Sequence, residues 1–384
     1  MPLFGKKDSY LGIDFDTSSV KIVELKNMSG RPRLVTYGFF NRPAGKTGAL
    51  DSNDVEKTAK LIRQVCAKAK ITSRKVITAM PAFSVFSSIL TLPVMSKKDL
   101  ASAIKWEAKK VIPLPIEDMI IDWKLLEGVE LETLDPGGSS EEEPESKALG
   151  QLGGLKVSRR KNLKIKQQKE GKYTKVLLTA APKDLVRRYV EVFKTAGLTL
   201  LSLDTESFAL VRSLVGNDKS SLMVVDMGAV VTNISIINNG IPTFNRSMDV
   251  GGATITQAIA NSLNISLDRA EQFKYDIGMN PERIGQGSVP KTIEDTLTPI
   301  VDELKYSLNL YREQGKRPIE KLILTGGSSL LLNLPNYFAN LLGLKVYLGD
   351  PWARVVYPEE LKPVLDEVGA RFSVAIGLAM RNIE

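Results

Sequence analysis

Short apolar runs broken by small polar residues alternate along this chain with stretches of helical periodicity, an order that predicts sheets covered by helices. Leu11-Gly12-Ile13 leads to Asp14, then to Phe15-Asp16-Thr17-Ser18-Ser19, then to Val20-Lys21. Far downstream, Val224-Val225 leads in the same way to Asp226, then to Met227-Gly228-Ala229 and Val230-Val231-Thr232-Asn233. Each segment reads as a β-hairpin with an acid at the end of its first strand. Two copies predict duplicated halves facing each other across a cleft. Between them, 74–81 and 85–92 read as strands closed by Pro81 and Pro93. A helix follows, with Ser96 as N-cap and Asp99 in its first turn, and it stops near Pro113 and Pro115. Strands at 120–126 and 174–181 complete an α+β unit, 73–181, of four strands and one or two helices. Helices are expected at 184–196, ending at Gly197, and from Asp204 onward. Gly251-Gly252 stand directly before another helix, and 322–324 is a buried strand opening onto Thr325-Gly326-Gly327-Ser328-Ser329. The small-residue helix 371–380 is expected to pack closely where two domains meet.

Composition narrows the chemistry. The 384 residues are 43% hydrophobic and 25% charged, as in ordinary soluble globular proteins. There is no histidine, which removes Ser-His-Asp and Cys-His catalysis and every His metal site. One cysteine, Cys66, excludes an intrachain disulfide and makes zinc improbable; it lies in a helical pattern and reads as a core residue. No signal peptide or membrane-spanning run is present, so a reducing cytosolic location is expected. The net charge of +8 comes from 156–175, which holds nine Lys/Arg against one Glu, so it does not argue for nucleic acid. With the acidic stretch before it, that block makes 135–172 a charged insertion of disorder-like composition. It is either a solvated loop or an interaction tail for an anionic surface.

The hairpins also carry candidate chemistry. Turn amides and hydroxyls can wrap phosphate oxygens, and an adjacent Asp can hold magnesium through water. Gly326-Gly327 ends a strand where a flat ligand can approach backbone. Glu271 and Lys274 share a helical face, either as an ion pair or as ribose ligands.

This order of elements (hairpin, hairpin, Gly-Gly hinge, Gly-Gly-Ser loop, small-residue helix) resembles the actin-like ATPase superfamily. Within it the chain is similar to the PilM family, the cytoplasmic actin-like components of type IV pilus machines. The stretch from Ala79-Met80-Pro81 through Leu92-Pro93 to Glu107-Ala108 and Ile112-Pro113-Leu114-Pro115-Ile116-Glu117 carries that likeness. The resemblance implies an α/β, actin-like (ribonuclease H-like) two-domain fold with an FtsA-type inserted α+β subdomain. Its parts would be 8–72 and 182–220 in the first domain, 73–181 as the insertion, 221–366 as the second domain, and 367–384 as a helix of the first. It implies ATP and Mg2+, with Gly12, Asp14, Thr17, Ser18 and Lys21 in one phosphate loop. Asp226, Gly228 and Thr232 would form the other, beside Gly251 and Gly252. Glu271 and Lys274 would hold ribose, and Gly326, Gly327 and Ser328 the adenine. Magnesium would sit by Asp14 and Asp226, largely through water. Glu206 and Asp226 are the catalytic candidates for orienting water, giving at most a slow ATPase; Glu206 also reads as a simple helix N-terminal acid. The family usually has glycine at the position of Asp16, whose extra carboxylate should weaken nucleotide binding unless magnesium bridges it.

The implied partner is the cytoplasmic N-terminal peptide of PilN, which links to PilO and the assembly motor at the inner face of the membrane. The protein itself would contact the membrane only peripherally, and a homo-oligomer or ring is compatible. Alternative readings are a nucleotide-free scaffold of a related secretion machine and an FtsA-like filament protein.

Overall fold

The computed structural model describes residues 8–15, 19–41, 54–126, 173–280, 288–313, 315 and 317–383. Asp16, Thr17, Ser18 and the charged insertion 135–172 lie outside the described residues. In chain order the strands are β1 (Ser9–Phe15), β2 (Ser19–Met28), β3 (Arg31–Asn41), β4 (Lys75–Met80), β5 (Phe86–Pro93), β6 (Met119–Leu125) and β7 (Tyr173–Pro182). They continue as β8 (Thr199–Thr205), β9 (Leu222–Met227), β10 (Thr232–Asn238), β11 (Ile241–Met248), β12 (Lys321–Thr325) and β13 (Lys345–Leu348).

Two five-stranded sheets share one topology. Their orders are β3-β2-β1-β4-β8 and β11-β10-β9-β12-β13. In each, an antiparallel three-strand meander is extended by two parallel strands. The central strands are apolar on both faces, as strands covered on both sides must be. Leu11, Ile13, Val76, Ile77, Leu222, Val224 and Val225 are all fully buried.

The helix Ser373–Met380 lies between the two sheets and is buried throughout. It packs on Val23, Leu25 and Trp352 on one side, and on Ile77, Leu222, Val224 and Ile323 on another. A helix apolar on every face belongs in such a place. Its approach requires missing side chains. A Cβ on Gly12 would overlap the Ala375 carbonyl oxygen, and one on Gly377 would overlap that of Ala209.

Glu24, central in β2 and fully buried, pins the segment before β4. It accepts from Ser9 Oγ at 2.6 Å, Thr72 N at 2.7 Å, Thr72 Oγ1 at 2.6 Å and Ser73 N at 3.1 Å. Four donors make a buried carboxylate tolerable where an unpaired one would not be.

The described residues of 88–113 and 122–178 form a second compact unit. The sheet that enters it has the order β5-β7-β6, with three strands and not the four expected. The missing one is β4, which is buried between β1 and β8 and whose Thr78 Oγ1 donates to Ile13 O at 2.7 Å. The helix Lys97–Val111 starts where the sequence indicates, with Ser96 Oγ accepting from Asp99 N, and it buries Leu100, Ile104 and Ala108.

Candidate functional site

Each repeated hairpin ends its first strand on an aspartate. Asp14 stands opposite Lys21, whose Nζ is 3.0 Å from Asp14 Oδ2. Asp226 stands between Asn233 on β10 and Thr325 on β12. The expected phosphate-loop residues Thr17 and Ser18 lie outside the described residues.

The second hairpin gathers the expected glycines around its turn. Gly228 N donates to Val231 O at 2.9 Å and closes the turn. Gly252 N then donates to Gly228 O at 3.0 Å, and Ala253 N to Ala229 O at 2.8 Å. A Cβ on Gly251 would come within 2.7 Å of the Ala229 backbone. Ser328 Oγ donates to Gly228 O at 3.0 Å from the other side. Gly326 adopts φ +84° with its amide on Ala370 O, and a Cβ there would overlap Asp226 Oδ1. Glycine at this position is therefore required both by conformation and by the carboxylate beside it. Asp226, Gly228, Gly251, Gly252, Gly326 and Ser328 thus form one cluster.

Three expected ligands have other work. Gly12 lies inside β1 against the helix Ser373–Met380, so it is a packing glycine and not part of a loop. Thr232 is fully buried and gives its hydroxyl to Val250 O at 2.6 Å, tying β10 to the approach to Gly251. Lys274, on the helix Leu267–Ile277, is only 2% exposed. Its Nζ reaches Glu271 Oε2 at 2.7 Å, Thr256 Oγ1 at 2.9 Å and Gly252 O at 3.2 Å. An ammonium has three donors, and these three acceptors use them all. Burial lowers the Lys274 pKa, against the pull of Glu271. Without a ligand, Lys274 is a buried strut under Gly252, its three donors held within the protein. The Thr256 hydroxyl also touches Glu271 Oε2, and the Glu271 side chain remains 39% exposed.

Glu206 begins a short helix, Glu206–Leu210. Its Oε2 accepts from Ala82 N at 3.1 Å and from Asn233 Nδ2 at 3.0 Å, and Asn233 Oδ1 in turn accepts from Ser247 Oγ at 2.7 Å. The carboxylate is thus joined through Asn233 to the strand opposite Asp226. Sequence reading missed this bridge because Asn233 looked like an ordinary strand residue after the turn.

Two further residues were also missed. Tyr275 Oη lies 3.5 Å from Gly327 O, and its pKa is raised by burial while Arg371 pulls the other way. Arg371 passes Gly327, where a Cβ would meet only Arg371 Cγ and Nε at 3.7 Å. The Nε of Arg371 is buried without a hydrogen-bond partner among the described residues. A signal existed in the sequence, because Arg371 is a lone cation opening the apolar run to Met380. Among the described residues no group of three or more His, Cys, Asp and Glu could hold a metal directly, and no helix is long and apolar enough to cross a membrane.

A profile of the family described as type IV pilus assembly protein PilM matches residues 12–134 and 161–383. The chain belongs to the PilM family. A chain in a solved PilM–PilN type IV pilus biogenesis complex is 26% identical, with a TM-score of 0.74 and 98% of both chains covered. The cell division protein FtsA of Enterococcus hirae is 22% identical over 385 residues, covering 90% of this chain and 79% of FtsA. The ethanolamine utilization protein EutJ of Carboxydothermus hydrogenoformans shares the fold at a TM-score of 0.51 and 15% identity, with 99% and 91% of the chains covered. This PilM-family chain has the actin-like ATPase fold, α/β throughout, and its two like-ordered sheets are the repeated halves.

Proposed function

We propose that this PilM-family chain is an ATP-binding scaffold of the type IV pilus assembly platform that docks the N-terminal peptide of PilN at the cytoplasmic membrane face. The observation that carries the nucleotide half is the pair of hairpins with Asp14 and Asp226 at equivalent strand ends. The partner half is supported by the 26% identity, over nearly all of both chains, to a protein solved in complex with PilN.

The residues fit a magnesium nucleotide in part. Gly326 holds bare backbone against Asp226, and the orphaned Arg371 Nε lies beside Gly327. Asp14 and Asp226 would hold magnesium through water, and Gly228, Gly326, Gly327 and Ser328 would line the nucleotide. Bound magnesium would neutralise phosphate charge beside the two carboxylates. Glu206 and Asp226 are the carboxylates available to orient water. Glu206 already accepts two protein hydrogen bonds on one oxygen, which fits at most a slow ATPase. PilO and the assembly motor would be reached through PilN, with no direct membrane span.

Calorimetry with ATP and magnesium on the intact protein and on Asp226→Ala tests the nucleotide half. Binding that disappears in the variant is the expected outcome. No binding to the intact protein overturns it and leaves a nucleotide-free scaffold, a reading favoured by the structural use of Gly12, Thr232 and Lys274. Titration with the PilN N-terminal peptide tests the partner half separately.

A further inference from the structure

Extending the nucleotide reading of this site, on which the assignment rests, we propose that Arg371 is the cation that meets the nucleobase, beside the Gly326, Gly327 and Ser328 that the resemblance gives to the adenine. The case begins with Lys274, whose three donors are already bound to Gly252, Thr256 and Glu271. An incoming ligand could recruit it only by leaving those acceptors unsatisfied in a buried place. The Arg371 guanidinium, although it meets Tyr275, keeps one donor unused. Its Nε is buried and lacks a partner among the described residues, which is costly for a guanidinium donor unless something completes it.

The position suits a base. Arg371 lies beside Gly327, where no side chain intervenes, and Tyr275 interacts with the same guanidinium and reaches Gly327 O. Gly326 separates this spot from Asp226. The acid end and the cationic end of the site are thus one loop apart. A guanidinium is flat and weakly hydrated, so it can lie against a purine ring and direct an N–H at its edge. An ammonium cannot do both.

The test compares ATP with inorganic tripolyphosphate, each with magnesium, by calorimetry on the full chain. The variants are Arg371→Gln and Arg371→Lys, and thermal unfolding of each is followed without ligand. Arg371→Gln should weaken ATP about 10-fold or more, the effect of losing one hydrogen bond to a charged group. Tripolyphosphate affinity should stay within about twofold, since the phosphate end is untouched. Arg371→Lys, which keeps the charge but not the plane, should recover little of the ATP loss. Wild-type ATP affinity in Arg371→Gln overturns the assignment while leaving the nucleotide reading intact. Equal weakening of both ligands overturns it too, because Arg371 would then serve the phosphates or the fold. An intact protein that binds neither ligand removes the nucleotide reading itself, and the base contact with it.

Discussion

The two sheets share strand order but meet the central helix in opposite ways. Two residues before Asp14 stands Gly12, and the helix backbone at Ala375 comes directly onto it. Two residues before Asp226 stands Val224, fully buried, which meets the same helix through side chains including Val374 and Leu378. The acids differ in parallel. Asp14 faces its own lysine, whereas Asp226 faces Asn233, Thr325 and the bare backbone of Gly326. A duplicated architecture therefore does not duplicate its chemistry: the first half supplies a tight backbone seat, and the second supplies the polar cluster.

The sharpest way to break this comparison is to exchange the two seats. Gly12→Val should cost about 3 kcal/mol or more in urea unfolding, because the added atoms meet helix backbone that cannot shift alone. Val224→Ala should cost about 2 kcal/mol, an ordinary cavity. Equal costs would mean that the helix adjusts to either sheet.

The next contrast sets the two lysines against each other. Lys274→Met should lose about 2–3 kcal/mol in the same assay, since it strands buried acceptors around Gly252 and Thr256. Lys21→Met should lose less, about 1–2 kcal/mol, because it deprives one mostly buried carboxylate of its ion-pair partner where Lys274→Met strands three acceptors. A third contrast concerns magnesium–ATP affinity. Asp226→Asn should weaken it about 10-fold or more and Asp14→Asn by less, as Lys21 already offsets that charge. The reverse order would move the centre of the site to the first hairpin.

The smallest effect tests ordinary surface electrostatics outside both hairpins. The Lys321 ammonium and the Ser220 amide hold the Asp218 carboxyl at about 2. A carboxyl lowered in the folded state favours the fold above its unfolded value, about 3.9, and loses that contribution as pH falls towards 2. The pair is partly exposed, so the gain is about 1 kcal/mol or less. Asp218→Asn should lower stability by about 1 kcal/mol or less near neutrality and flatten the profile between about pH 4 and pH 2, where the wild-type carboxylate loses that contribution.

Much of this organisation was legible because it is written locally. The hairpins, the Ser96 cap and the small-residue helix each depend on neighbours within a turn or two. What escaped depends on distant partners. β4 sits next to β5 in sequence, yet its ladder partners are β1 and β8. The helix expected from Asp204 starts at Glu206, because Asp204 still belongs to β8 and is held by Arg212 at 2.5 Å and Arg381 at 3.2 Å. The pairing of Lys274 with Glu271 is visible in their spacing, whereas its other two acceptors, Gly252 O and Thr256 Oγ1, come from another helix. Arg371 was overlooked for the complementary reason, since nothing beside it in sequence reveals that Gly327 and Tyr275 will surround it.

The seat at Gly12 also sets a timetable. β1 leaves the ribosome long before the helix Ser373–Met380 that covers it. Until that helix arrives, Val23 and Leu25, beside Gly12 on the same face, lack part of their burial, and a chain stalled before residue 373 carries a half-covered sheet of high aggregation hazard. Quality control in the cell would therefore meet the first sheet held open across roughly 350 residues of synthesis, until the helix Ser373–Met380 closes both halves at once.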